Sequence, residues 1–117
     1  MPGESTLQSA VRAEAARLGV YLWRNNSGVL PDKRGVPVRF GLGNDSQRIN
    51  AVLKSSDLIG ITPGGRFVAI ECKAPGWIGV RTDRERAQEA FIDLVRAQGG
   101  IAGFVTSLED LRCLLQS

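Results

Sequence analysis

Apolar positions along the chain recur with two periods. Leu7, Val11, Ala15 and Leu18 repeat at helical spacing and Gly19 follows them, which predicts an amphipathic helix over residues 4–18. Residues 20–23 are continuously apolar and predict a first strand that ends in the polar turn 24–28. Residues 30–35 predict a loop, and 36–40 a short strand that Pro37 confines to a sheet edge. The pattern fades over 41–56. Asn44, Asp45 and Ser46 are placed to cap a short helix carrying Ile49, Val52 and Leu53, but the segment equally suits a mobile flap. Two apolar runs then flank Pro63-Gly64-Gly65 and predict a hairpin. Thr82 and Glu85 form a capping box that opens a helix to about Gln98, with Ala87, Phe91, Leu94 and Val95 on its apolar face and Gln88 at the border. Residues 101–106 predict a strand parallel to 67–72, reached by a right-handed crossover. Ser107 caps a last helix with Leu108, Leu111 and Leu115 inward. The expected fold is α/β, one domain over 1–117, with a mixed β-sheet flanked by helices.

The hairpin places the candidate chemistry. A three-residue loop that pairs Thr62 with Arg66 sets Asp57 directly opposite Glu71, and opposed residues point to one face with Cβ atoms about 5 Å apart. Lys73, two residues on, shares that face. A loop one residue longer or shorter could part the two carboxylates. Phe67, Val68, Ala69 and Ile70 leave no polar position on either side, as in a strand covered on both faces. Two carboxylates beside such a run repel and lose hydration, and a divalent cation such as Mg²⁺ compensates both effects. The plainer reading is that Glu71 and Lys73 mark where the strand emerges into solvent.

Composition narrows the chemistry. Histidine is absent, which removes His-ligated zinc fingers, His-based nucleases and Ser-His-Asp hydrolases and leaves carboxylates, lysine and metal. Two cysteines are too few for a disulfide framework or a thiolate zinc site, and Cys72 reads as core. No apolar run is long enough to cross a membrane, and no leader pattern opens the chain, so the expected location is the cytoplasm. Lysine and arginine number 15 against 12 acidic residues, a net charge of +3 that permits nucleic-acid binding without requiring it. Arg24, Lys33, Arg34, Arg39, Arg48 and Lys54 fall between the first helix and the hairpin. Each alone is ordinary surface charge; together, on loops leading to the acidic pair, they read as phosphate contacts. Trp23 could stack on a base but more often such a residue is core. Trp77 and Ile78 could cover the core, wedge against DNA or join a dimer interface, the last two being favoured.

Ser56-Asp57 followed by Glu71-Cys72-Lys73 resembles the PD-(D/E)xK nuclease signature, and within it the chain is similar to the small stand-alone VRR-NUC domains of phages and bacteria. Glu4, the 23–28 and 39–41 segments, 54–60 and Gln88 extend that resemblance over nearly the whole chain. Ser56 stands where the signature has proline, and a cysteine occupies the middle of Glu-x-Lys; neither removes a ligand. The resemblance implies a restriction-endonuclease-like core and a Mg²⁺- or Mn²⁺-dependent endonuclease of DNA. Asp57 and Glu71 would bind the metal, with the Cys72 backbone carbonyl as a further ligand and Glu4 in the outer shell. From spacing alone Glu4 could equally serve the helix dipole. Lys73 would orient the attacking water and stabilise developing charge, and Gln88 would position Lys73 or that water. The resemblance also implies branched DNA, four-way (Holliday) junctions above all, a homodimer, and a bacterial cell or phage-infected host as the setting. Rival expectations are a nuclease of flaps, single strands or RNA, and a non-catalytic DNA-binding module. A binder of small phosphorylated ligands is disfavoured, since no glycine-rich loop leads into a helix.

Overall fold

The computed structural model describes residues 4–116, with side chains from Thr6 onward. A four-stranded sheet is built from β1 (Tyr21–Arg24), β4 (Leu58–Ile61), β5 (Phe67–Cys72) and β6 (Ile101–Val105), in the order β1-β4-β5-β6. The pairs β1–β4 and β4–β5 are antiparallel and β5–β6 is parallel, so the sheet is mixed. Helices α1 (Glu4–Arg17) and α4 (Leu108–Leu115) cover one face and α3 (Asp83–Ala97) the other. Strands β2 (Gly28–Pro31) and β3 (Pro37–Phe40) form a separate two-stranded ribbon, and α2 (Gln47–Val52) leads from it back to β4.

Alternation along β5 decides what each layer holds. Val68, Ile70 and Cys72 join Val11, Ala15, Leu22, Leu58 and Leu111 under α1 and α4. Ala69 turns the other way, against Phe91, Ile92 and Val95 of α3. Burying each large aliphatic side chain contributes about 1.5–3 kcal/mol, so the fully buried Leu58, Ile70, Ile92 and Leu111 anchor both layers.

The hairpin register is the one its turn chemistry predicts. Thr62 donates to the Arg66 carbonyl at 3.0 Å and Gly65 to the Thr62 carbonyl at 2.9 Å, and Leu58 pairs with Ile70. Gly65 supplies the positive φ of 84° that the loop requires. Several finer expectations are corrected. Leu18 and Leu94, expected on apolar helix faces, are exposed rather than core, and Ile49 and Val52 of α2 are exposed as well. On α3 the buried stripe is Ala87, Gln88, Phe91, Ile92 and Val95, a rotation that brings the glutamine inside. Residues 41–56 contain a helix capped by the Ser46 side chain, which accepts from the Ile49 N–H, although none of its residues is buried. Leu30 and Pro31, expected in a loop, belong to β2. The Asp32 carboxylate closes that ribbon's turn by accepting from the N–H groups of Arg34 and Val36 at 2.8 and 2.9 Å.

Candidate active site

The last row of the antiparallel strands carries the site. Asn25 donates its N–H to the Asp57 carbonyl at 2.8 Å, continuing the β1–β4 ladder, and the β4–β5 register continues to Asp57 opposite Glu71. Each carboxylate is held by the other strand's backbone. The Cys72 N–H donates to Asp57 Oδ2 at 3.0 Å, and the Asp57 N–H donates to Glu71 Oε1 at 3.2 Å. Cys72 therefore sets its backbone beside the acidic pair while its thiol lies in the opposite core layer, as expected of a small hydrophobe.

Glu71 does not emerge into solvent: its relative exposure is 3%. Burial and the Asp57 carboxylate beside it push its pKa up to about 9, while Lys73 opposes the shift. A carboxyl in that setting keeps its proton at neutral pH unless another positive charge replaces it.

Lys73 is 9% exposed, and its Nζ donates to Gln88 Oε1 at 2.8 Å. Gln88 Nε2 in turn donates to Glu71 Oε2 at 3.3 Å, so one amide ties the lysine to the acid. Nζ also stands 4.0 Å from Glu85 Oε2 and 5.7 and 5.9 Å from the ring centroids of Trp77 and Phe104. Sequence reading left Gln88 open between a surface amide and a site residue; the structure buries it among the charged groups. Trp77, expected at a DNA or dimer contact, instead packs against Phe104 with centroids 4.7 Å apart and donates its indole N–H to Glu85 at 2.7 Å. It covers Lys73, and Ile78 alone of that pair is exposed. Glu85 thus serves twice, as capping-box acid on the Thr82 N–H and as anchor for Trp77. The indole, then the Arg81 and Thr82 N–H groups, hold its pKa at about 2.

In front of the carboxylates opens a cleft of about 260 Å³, lined by Asp57, Glu71, Gln88, Arg39, Lys54 and Arg84 among others. Of the six basic residues expected to meet phosphate, Arg39 and Lys54 reach this cleft. Arg39 donates to the carbonyl and side-chain oxygens of the buried Asn44, and Lys54 donates to Asn50. Burial, then Arg84 and Arg39, lower the Lys54 pKa. Arg24 instead bonds Ser9, and Arg34 pairs with Asp32 at 3.4 Å. Neither these two nor Lys33 and Arg48 line the cleft. Arg84 was missed by sequence reading because it lies after the hairpin, inside the capping box; its placement in the first turn of the helix that carries Gln88 was the available signal.

The Glu4 side chain lies outside the described residues. Among the described residues no group of three or more acidic or cysteine side chains converges. Asp57 and Glu71 nevertheless suit Mg²⁺ or Mn²⁺, because such ions accept one or two carboxylates and fill their other positions with water and phosphate oxygens. A buried acid pushed to about 9 beside a second carboxylate is the donor set whose repulsion a divalent cation relieves.

No protein-family model matches the sequence, and it has no match among curated proteins. Among the described residues no helix is long and apolar enough to cross a membrane.

Proposed function

We propose that this chain is a metal-dependent endonuclease with a restriction-endonuclease-like core, of the VRR-NUC type, that hydrolyses phosphodiester bonds in structured DNA, with four-way junctions as first substrate. The observation that carries the reading is the row Asn25–Asp57–Glu71 with Lys73 joined to it through Gln88. A divalent ion held by Asp57, Glu71 and the Cys72 carbonyl would supply Lewis-acid chemistry, acidifying water and offsetting charge on the phosphate.

The chain's own groups do the rest. The reciprocal backbone bonds fix both carboxylates before any ligand arrives, so little reorganisation is needed at the moment of reaction. Lys73 contributes positive charge against the charge that develops on the phosphoryl oxygens, and Gln88 holds its ammonium in register with Glu71. Trp77 and Phe104 shield that ammonium from water, which strengthens its field at the site. Arg39, Lys54 and Arg84 bind the flanking phosphates.

A homodimer follows from symmetric junction cutting. The β2–β3 ribbon supports it, exposing Val29, Leu30, Val38 and Phe40.

The deciding experiment incubates the protein with a labelled four-way junction and with matched duplex, flap and single-strand DNA, in Mg²⁺, Mn²⁺ or EDTA, alongside Asp57→Ala, Glu71→Ala and Lys73→Ala. Metal-dependent cutting that each substitution lowers by about a hundredfold or more is expected. Cutting that persists in the variants refutes the assignment, and DNA binding without cutting in any metal would leave a binding module.

A further inference from the structure

The face of the sheet that presents Asp57 and Glu71 continues beyond α3. Registers place Trp23 opposite Ile59 and Ile59 opposite Ala69 in the next row, then Tyr21, Ile61 and Phe67 in the row after. These odd-numbered positions share the face of Asn25, Asp57 and Glu71. Helix α3 packs on β5 and β6, with Ala69 and Ala102 under it. The β1–β4 part remains open, with Trp23 53% and Tyr21 60% exposed. Trp23, Ile59, Ile61 and Phe67 line an apolar groove of about 310 Å³ there. A tryptophan in a strand is ordinarily core; this one is not.

We infer that Trp23 is a stacking platform for an unpaired base of the DNA strand being cut, making the protein select substrates with unstacked nucleotides beside the scissile phosphate. The inference rests on the nuclease reading and narrows its substrate class. Same-face rows lie about 7 Å apart along a strand, so the indole stands roughly one extended nucleotide from the carboxylates. The adjoining cleft supplies Arg39, Lys54 and Arg84 for phosphates, and the groove beside it supplies aromatic and aliphatic surface for a base. Cationic cleft and aromatic surface together are what single-stranded nucleic acid requires. A paired duplex keeps its base faces stacked and offers nothing to a side-on indole. A flap, a bulge or the opened centre of a branched molecule exposes such a face.

The test measures binding in EDTA, apart from cleavage. The probes are a labelled duplex with an unpaired tract, its fully paired counterpart, and the first with abasic sugars in the tract. Trp23→Leu, which keeps an apolar side chain but removes the ring, is expected to weaken binding of the unpaired tract by roughly tenfold or more. Binding of paired duplex should change by less than about twofold, since phosphate contacts dominate there. Trp23→Tyr should restore most of the affinity. The abasic tract should reproduce the loss in wild type and add nothing to Trp23→Leu, a comparison that serves on wild-type protein alone should the variant not fold.

Equal binding of the unpaired tract by wild type and Trp23→Leu, or equal wild-type affinity for base-bearing and abasic tracts, overturns the inference. So does sedimentation in which Trp23→Leu converts a dimer to a monomer with unchanged DNA affinity, which assigns the groove to a second copy. If metal-dependent cutting is present in any of these cases, the nuclease reading survives without the platform. A wild type that binds none of the probes and cuts no DNA in Mg²⁺ or Mn²⁺ removes both.

Discussion

At the scale of single residues, Glu71 governs how this protein responds to pH and metal. In the metal-free protein its folded pKa is about 9, whereas the unfolded chain titrates it near 4.5. Between those values the native state holds a proton that the unfolded state has lost, so stability falls as pH rises through the window. Glu71→Gln, neutral at every pH, should flatten that slope and raise the melting temperature in EDTA at pH near 8 by roughly 4 °C or more. Thermal unfolding across pH checks this, and parallel curves for variant and wild type would refute the raised pKa. Mg²⁺ binding should displace the same proton. Calorimetry in buffers of different ionisation enthalpy reads that release directly, and it should vanish in Glu71→Gln. Asp57, Glu71 and Lys73 were legible as a group because the loop length fixes the register that opposes the two acids. That the acids lose hydration was legible from the apolar run beside them. That Glu71 and Lys73 are buried while Asp57 is only half-buried was not, since it depends on α3 and Gln88 closing over the first two.

At the scale of elements, one backbone approach and one cap hold the site. Gly60 lies where β1 and β4 meet; an added Cβ would stand 1.9 Å from the Tyr21 carbonyl oxygen, an atom that cannot yield without breaking the strand pair. Gly60→Ala should therefore cost about 3 kcal/mol or more in chemical denaturation. A loss under about 1 kcal/mol would mean the sheet relaxes there. Thr82→Ala removes the capping hydroxyl that accepts from the Glu85 N–H and should cost about 1 kcal/mol. If the cap also steadies Glu85, Trp77 and through them Lys73, metal-dependent cleavage in the variant should fall more than its residual stability explains. The helices and the hairpin could be read from their caps, periods and turn residues. Strand β2 could not, because Gly28 and Pro31 bracket it and its pairing with β3 depends on the Asp32 turn.

At the scale of the whole molecule, charge and apolar surface are segregated. Arg39, Lys54 and Arg84 gather at the carboxylates, so DNA affinity should fall steeply with salt. Replacing Arg84 with alanine should reduce that slope by about one, and a salt-independent affinity would remove the cleft as a phosphate site. The β2–β3 ribbon carries apolar side chains with little to cover them, and Val38→Asp should dissociate a dimer built on it. Sedimentation of wild type as a monomer at micromolar concentration would count against both that interface and paired junction cutting.

The sequence by itself determined the local terms. Turn chemistry set the Asp57–Glu71 register, capping residues set the starts of α2, α3 and α4, and alternation along β5 set the face on which Glu71 and Lys73 stand. These depend on interactions within a few residues or across one tight hairpin, where backbone sterics leave few options. Tertiary structure decided what long-range packing controls: which cations reach the acids, that Gln88 joins Glu71 to Lys73, that Trp77 is covered, and that Trp23 is open. The burial of Gln88 and the openness of Trp23 follow from how far α3 extends across the sheet. Arg39 reaches the acids from the β2–β3 ribbon and Trp77 is covered by Phe104 of β6, and no local pattern carries any of these.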